Sequence, residues 1–405
     1  MNDIEIRPIT PDELEPFAFA NGTAFGYNPD PAEESRIRSI LEFDRTLAAF
    51  DGSDIVGTTA IFSFDMAVPG GVLPTAGVTW VAVRPSHRRR GVLTRIMERQ
   101  LLDVRERGEA LAGLWASEAP IYGRFGYGLA SETLQFEVQR RYTEFAHAPD
   151  APGRVHIVDR EAALSGWPAV FDRVYPSWPG LYSRSTAWWQ NHRLREPRQG
   201  ERGARFFAQY EEGGELRGYV YYLIDDPARD VLPNGIAEVR ELIAETDAAY
   251  AALWRFVLNL DLVDTIRAFH RPVDEPLVYM LADPRRLIRR PYDALWLRIL
   301  DVPKALSARR YATDGRLVLS VRDDFGAHAA GTFELEAGPA GAHCRVSTAT
   351  PGLILSAADL AAAYLGGVRI TTLHRAGRVE GSRDAIARAD AMFAWDRMPW
   401  CPEVF

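Results

Sequence analysis

Val81-Ala82-Val83-Arg84-Pro85-Ser86-His87-Arg88-Arg89-Arg90-Gly91-Val92-Leu93 is the stretch on which the reading of this chain turns. An apolar strand runs out at Val83, basic residues follow, Gly91 marks a turn, and an amphipathic pattern begins. Val92, Ile96, Met97 and Leu101 share one face of a helix predicted over 91–107, which Gly108 stops. A helix start presents unpaired backbone N–H groups and a partial positive charge. Gly91 allows close backbone approach, and arginines make charge-assisted bonds to phosphate oxygens. Together these features describe a pyrophosphate cradle. The competing readings are a solvated basic helix start and an RNA-binding patch, and the absence of further basic stripes disfavours the latter.

On the N-terminal side, strands are predicted at 4–8, 47–50, 55–64 and 76–83. A capping box at Thr10-Pro11-Asp12-Glu13 opens a helix. On the C-terminal side come a strand at 111–116, a helical turn at 120–125 and a closing strand at 132–138. A second region repeats the order: strands at 205–210, 217–224 and 236–243, a helix at 247–258 and a strand at 265–270. Its strand-to-helix junction, Ala244-Glu245-Thr246-Asp247, has neither glycine nor arginine and cannot cradle a phosphate. A third region starts with a strand at 296–300, continues with a helix at 303–310 and strands at 316–322, 331–337 and 343–347, and ends in helices at 356–364 and 382–395. The tail Met398–Phe405 is half apolar, which argues for docking. The expected organisation is mixed α/β in three domains, 1–145, 150–288 and 289–405, the second a copy of the first without its loop.

Composition narrows the function classes. The 405 residues hold 47% apolar and 25% charged side chains, ordinary for globular domains. The formal charge of −8 argues against broad nucleic-acid binding and favours cationic partners. Two cysteines, Cys344 and Cys401, make neither a disulfide framework nor a metal site, so no metal is expected. There is no apolar run long enough to span a membrane and no leader-like N-terminus, so a cytoplasmic protein is expected, with signal-less export left open.

The loop resembles the R-x-x-G-x-G/A motif of GCN5-related N-acetyltransferases (GNATs), with Arg88, Gly91 and Leu93 at its three fixed positions; Leu93 departs from the usual Gly or Ala. Ile121-Tyr122-Gly123-Arg124-Phe125-Gly126-Tyr127 resembles the Y-x-x-x-G-F signature of the same superfamily. VLPTAG, VAVRPSHRRRGVL, ASE with IYGRFGYG, DALWLRILDVPKAL and the terminal phenylalanine together resemble the enhanced intracellular survival (Eis) family of actinobacterial acetyltransferases over the whole chain. The resemblance implies an active GNAT domain, a degenerate GNAT domain and a sterol-carrier-protein-like domain, assembled as a homohexamer.

It also implies acetyl-CoA as co-substrate and transfer to a primary amine of a cationic small molecule, with aminoglycosides, and so antibiotic resistance, foremost. Amine acylation requires a deprotonated nitrogen, stabilisation of charge on the thioester oxygen and a proton donor for the departing thiol. By resemblance, Tyr122 is the general acid and the terminal carboxylate of Phe405 the general base. A phenol near pKa 10 facing a thiol near 8.5 needs a lowered pKa or acts only as a hydrogen-bond donor. Cofactor contacts are expected from Val81 and Val83 on the strand that splays, from Arg88, Arg89, Gly91 and Val92 in the loop, and from Ser117. Trp80 is expected to line the acceptor pocket and Glu403 to add negative charge to it. Asp30, Glu33 and Glu34 are a second source of such charge or simply a solvated face. Trp188-Trp189 reads as packing between domains. Two other readings stay open: a protein or peptide lysine acetyltransferase, and a non-catalytic module that binds acyl-CoA or a cationic drug.

Overall fold

The computed structural model describes residues 4–197, 203–225 and 234–405. They form two compact units. One comprises 1–131, 294–396 and 404–405; the other comprises 132–293 and 397–403. Three mixed sheets carry the architecture.

The first unit holds a seven-stranded sheet in the order Glu5–Arg7, Thr46–Asp51, Asp54–Val68, Gly71–Val83, Leu111–Trp115, Leu295–Ile299, Gly128–Leu129. Gly71–Val83 and Leu111–Trp115 are parallel, joined by the helix Val92–Glu106. That helix buries the face its spacing predicts: Val92 and Ile96 pack with Ile4, Ala49 and Val56, and Met97, Leu101 and Val104 with Ile61, Ala76, Val78, Ala112 and Leu114. The predicted capping box forms: Glu13 accepts from the Thr10 N–H at 2.8 Å, ahead of the helix Leu14–Phe25.

Two strands differ from expectation. Glu132–Gln139, read as the last strand of the first region, lies in the second sheet, between Val263–Arg271 and Ile288–Asp293. Leu295–Ile299, read as the opening of the third region, occupies the first sheet beside Leu111–Trp115. Burial explains the choice. Leu295, Leu297, Arg298 and Ile299 are all inaccessible, as an interior strand covered on both faces requires. Glu132–Gln139 instead alternates, with Leu134, Phe136 and Val138 inward and Gln135 and Glu137 partly solvated.

The first unit also contains a five-stranded sheet, ordered 341–346, 331–338, 315–322, 353–356, 380–381. Its helix Ala357–Ala363 packs on Leu295–Ile299 and Gly128–Leu129. The approach at Gly128 is so close that an added Cβ would sit 1.8 Å from the Ala358 carbonyl oxygen. Gly128→Ala must therefore displace a helix backbone. We expect a loss of about 3 kcal/mol, read as a Tm lower by roughly 10 °C in thermal unfolding; an unchanged Tm would contradict this packing.

In the second unit, Gly235–Ala244 and Val263–Arg271 are parallel and joined by the helix Asp247–Leu258, repeating the strand-helix-strand order. Here the Thr246 hydroxyl accepts from the Ala249 N–H at 3.1 Å, so this helix start is closed by its own side chain.

Candidate active site

The parallel pairing of Gly71–Val83 with Leu111–Trp115 covers only Thr75↔Leu111 to Gly77↔Gly113. Beyond Gly77 the first strand runs on to Val83 without that neighbour, and the two strands part. Trp80 drives the divergence: it takes φ 53°, and the register with Asp54–Val68 slips between Thr58 and Ala60. A tryptophan in left-handed conformation at such a bulge needs support. Its carbonyl accepts from Thr58 Oγ1 at 2.7 Å and from Asn21 Nδ2 at 3.1 Å, and its ring stacks on Phe17 at 5.6 Å. Thr58, Asn21 and Phe17 are buried and were not identified from sequence; only the pairing of a bulge with nearby buried polar side chains could have flagged them.

The parted strands frame a cleft of about 650 Å³, lined among others by Val81, Val83, Arg88, Arg89, Gly91, Val92, Ser117 and Tyr122. All seven residues assigned to the cofactor are thus brought together with Tyr122. The turn before the helix takes φ 62° at Arg89 and 79° at Gly91, and no side chain caps the helix start. No atom lies within 4 Å of where a Cβ on Gly91 would be. Arg88 and Arg89 are exposed, and Arg88 Nη2 donates to the Ala24 carbonyl at 3.3 Å. Uncapped N–H groups, an open glycine and two solvated guanidinium groups fit a pyrophosphate, and the freed strand edge fits the amide-bearing arm that follows it in coenzyme A. His87 bonds Asp51 Oδ2 through Nε2 at 3.2 Å and Ser86 Oγ through Nδ1 at 2.9 Å, which places it in the framework of the turn.

Tyr122 sits on the short helix Ala119–Gly123 and is 4% exposed. Burial raises its pKa above the usual phenol range; a hydrogen bond with Ser117 pulls the other way, and Glu118 adds to the rise. The phenol is therefore neutral and proton-bearing at physiological pH, and the lowered pKa considered from sequence does not occur. Tyr127, fully buried, packs edge-on against it at 6.0 Å. Beneath this turn lies Arg298, also unforeseen. It is fully buried, donates from Nη2 to Asp323 Oδ2 at 2.6 Å and to the Phe325 carbonyl at 3.0 Å, and would stand 2.3 Å from a Cβ on Gly126 (φ 79°).

Phe405 packs its ring on Phe64 (5.3 Å) and Phe62 (6.4 Å) and passes Gly77, the residue at which the strands part. The Trp80 ring lies against Phe17 and the core beside it. Two other expectations need correction. Glu403 belongs to the second unit, is fully buried and has both carboxylate oxygens engaged, by Arg184 Nε and Trp188 Nε1, so its charge is spent internally. Trp188 and Trp189 pack within the second unit, the latter against Phe171 and Tyr219. Glu33 and Glu34 pair with Arg36 and Arg38 on their own helix.

Comparison with known proteins defines the class. A model of the acetyltransferase (GNAT) domain matches residues 5–130, a second GNAT-domain model 180–299, and a sterol carrier protein domain model 302–402. A GCN5-related N-acetyltransferase from Anabaena variabilis shares the fold, with TM-score 0.88 at 20% identity over the full length of both chains. An uncharacterized N-acetyltransferase of Streptomyces griseus is 38% identical over 420 residues, spanning 99% of this chain and all of its own. The N-acetyltransferase Eis of Mycobacterium bovis is 36% identical over 385 residues, 90% of each chain. The crystal structure of Eis1 from Mycobacterium abscessus superimposes with TM-score 0.88 at 34% identity, covering 99% of this chain and 100% of its own. The chain belongs to the Eis family of GCN5-related N-acetyltransferases, built of two GNAT domains and a sterol-carrier-protein-like domain. It is an acyltransferase, and its GNAT domains are of the kind that use acetyl-CoA as co-substrate. No helix among the described residues is long and apolar enough to cross a membrane.

Proposed function

We propose that the protein transfers an acetyl group from acetyl-CoA to a primary amine of a cationic small molecule, with aminoglycosides the leading class. Tyr122 fills the general-acid position by donating a hydrogen bond to the departing sulfur, and the Phe405 carboxylate is the proton acceptor. One observation carries the reading: Tyr122 lines the cleft opened where two parallel strands part, and the Phe405 ring rests at Gly77, where that parting begins.

Acetyl-CoA, when bound, supplies the acetyl group as an activated thioester. Arg88, Arg89 and the N–H groups opening the helix Val92–Glu106 hold its pyrophosphate, and Val81 and Val83 offer backbone to its extended arm. Tyr122 donates a hydrogen bond to the departing sulfur. Full proton transfer from a phenol above 10 to a thiolate near 8.5 is uphill by roughly 2 kcal/mol, so Tyr122 acts by stabilising the growing negative charge. An α-carboxylate is ionised at neutral pH and attracts an ammonium. It is too weak a base to strip a free ammonium, so the acceptor reacts from its neutral amine fraction, whose first proton has gone to solvent, and the carboxylate takes the second proton, which turns acidic as the nitrogen bonds to carbon. A net charge of −8 and a terminal anion support a cationic acceptor. Direct transfer is supported by Cys344 and Cys401 both being buried and absent from the cleft lining. The homohexamer of the resemblance is carried here as part of the proposal, and light scattering of the purified protein tests it.

Arg88→Ala and Arg89→Ala should each raise KM for acetyl-CoA roughly five- to tenfold with kcat changed less, as loss of an exposed charge-assisted contact implies. A fall in kcat alone would assign the arginines elsewhere. The acceptor is tested by thiol release from acetyl-CoA with a panel of aminoglycosides, linear polyamines and a lysine peptide. Turnover with several aminoglycosides supports the proposal; turnover with the peptide alone replaces the substrate class.

A further inference from the structure

Arg298 is a fully buried cation on the strand Leu295–Ile299, paired with Ala112 in the register with Leu111–Trp115. Arg298, the turn that carries Tyr122 and the segment 323–329 all belong to the first unit. A buried guanidinium needs a counter-charge and acceptors. Nη2 finds both: it donates to Asp323 Oδ2 at 2.6 Å and to the Phe325 carbonyl at 3.0 Å. The Asp323 carboxylate is held in turn, Oδ2 accepting from the Ala329 N–H at 2.9 Å and Oδ1 from the Phe325 N–H at 3.3 Å.

Nε and Nη1 are used differently. Both are buried, and neither makes a hydrogen bond among the described residues. They face Gly126, where a Cβ would stand 2.3 Å from Nη1 and 3.1 Å from Nε. With φ 79° at that position, only glycine suits both the backbone and the guanidinium. This accounts for the glycine four residues after Tyr122 in the sequence signature. Two unbonded donors in the interior are costly, so the ion pair with Asp323 does not by itself explain an arginine here.

The turn passes any displacement of Gly126 on to Tyr122. The Tyr122 carbonyl accepts from the Phe125 N–H at 3.0 Å and from the Tyr127 N–H at 3.3 Å, and the Gly123 carbonyl accepts from the Gly126 N–H at 3.0 Å. The Phe125 ring meets Phe325 edge-on at 4.8 Å, so the residue whose carbonyl Arg298 holds also packs on the turn. Tyr127 packs edge-on against the Tyr122 ring at 6.0 Å. Burial pushes the Tyr127 phenol up, and the nearby Arg298 charge pulls it partly back.

We infer that Arg298, held by Asp323, is a positioning residue for acetyl transfer: by filling the space at Gly126 it fixes the turn from Tyr122 to Tyr127 and so the placement of the Tyr122 phenol. The inference rests on the reading of Tyr122 as hydrogen-bond donor to the departing sulfur.

The test is a double-mutant cycle between Arg298→Lys and Tyr122→Phe, read as kcat and KM for acetyl-CoA with kanamycin and spermine as acceptors. Lysine keeps the charge and loses the fork. Arg298→Lys should lower kcat about tenfold and leave KM for acetyl-CoA within twofold. In the Tyr122→Phe background it should cost less than twofold more. Equal losses in both backgrounds would make Arg298 a general stability residue and overturn the inference. So would an unchanged kcat in Arg298→Lys while Tyr122→Phe is crippled, and that result would leave the Tyr122 reading intact. Tyr122→Phe without effect overturns the Tyr122 reading itself. A second readout needs no acceptor. In protein labelled with 13C at tyrosine Cζ, the resonance that Tyr122→Phe removes should shift or broaden in Arg298→Lys; an unmoved resonance overturns the inference. Asp323→Asn keeps the shape and removes the counter-charge. It should lower kcat about threefold, and it enters the same cycle and the same spectrum if Arg298→Lys does not fold.

Discussion

Tyr122→Phe should lower kcat about 10²–10³-fold and leave KM for acetyl-CoA within threefold, as steady-state rates of thiol release would show. The substitution removes one oxygen from a side chain that is 4% exposed and packed among Ile61, Leu114, Phe125 and Tyr127, so the ring's own packing survives. Its sign with pH follows from burial. The folded phenol has a pKa raised above the ordinary 10, so the donor form is complete at neutral pH and is lost only as pH climbs through that raised value. No loss of kcat below pH 10 should therefore trace to Tyr122. Ser117→Ala removes the hydrogen bond that opposes the rise and should push any alkaline limb higher still. An unaltered kcat in Tyr122→Phe would remove the phenol from the chemistry and return the cleft to a binding role.

Deletion of Phe405 should be of similar size, about 10²–10³-fold in kcat. Deletion takes away both the ring on Phe62 and Phe64 and the placement of the carboxylate. Adding one glycine after Phe405 separates the two, since the ring keeps its seat while the charge moves by about 3.6 Å. If the carboxylate is the working group, the glycine-extended chain loses nearly as much kcat as the deletion while its thermal stability is unchanged. Full activity in the extended chain would leave Phe405 a hydrophobic plug.

Local structure was legible in the sequence and long-range pairing was not. The loop, its helix and the Tyr122 turn each combine a residue-type requirement with short spacing, and the seven residues proposed for the cofactor line one cleft with Tyr122. The strand-edge swap between 132–139 and 295–299 was invisible because period-2 alternation reports which face is buried and says nothing of which partner lies alongside. The helix Arg160–Val174 was not assigned from sequence; Gly166 and Pro168, which interrupt a helical pattern, both sit within it. Glu403 was expected to add charge to the acceptor pocket because it stands two residues from Phe405, and no local signal showed that its charge is spent internally. The guanidinium that claims it comes from Arg184, far off in sequence. Asn21 and Thr58 serve a bulge that is itself unwritten in the alternation of Gly71–Val83.

The strand Leu295–Ile299, filling the place beside Leu111–Trp115, bears on how the molecule is made. On the ribosome the first sheet stays incomplete after Trp115 has emerged, until the chain has been extended through the whole of 132–293. At about 5–20 residues per second, that interval lasts on the order of ten seconds or more. Throughout it Leu111–Trp115 presents an open edge with buried-type side chains, the kind of surface chaperones cover. A fragment ending near residue 145 should inherit that condition permanently and aggregate. The acetyltransferase fold of this chain is thus completed from its far end, and gene fusions or truncations that follow the boundaries of the matched domains cut through it.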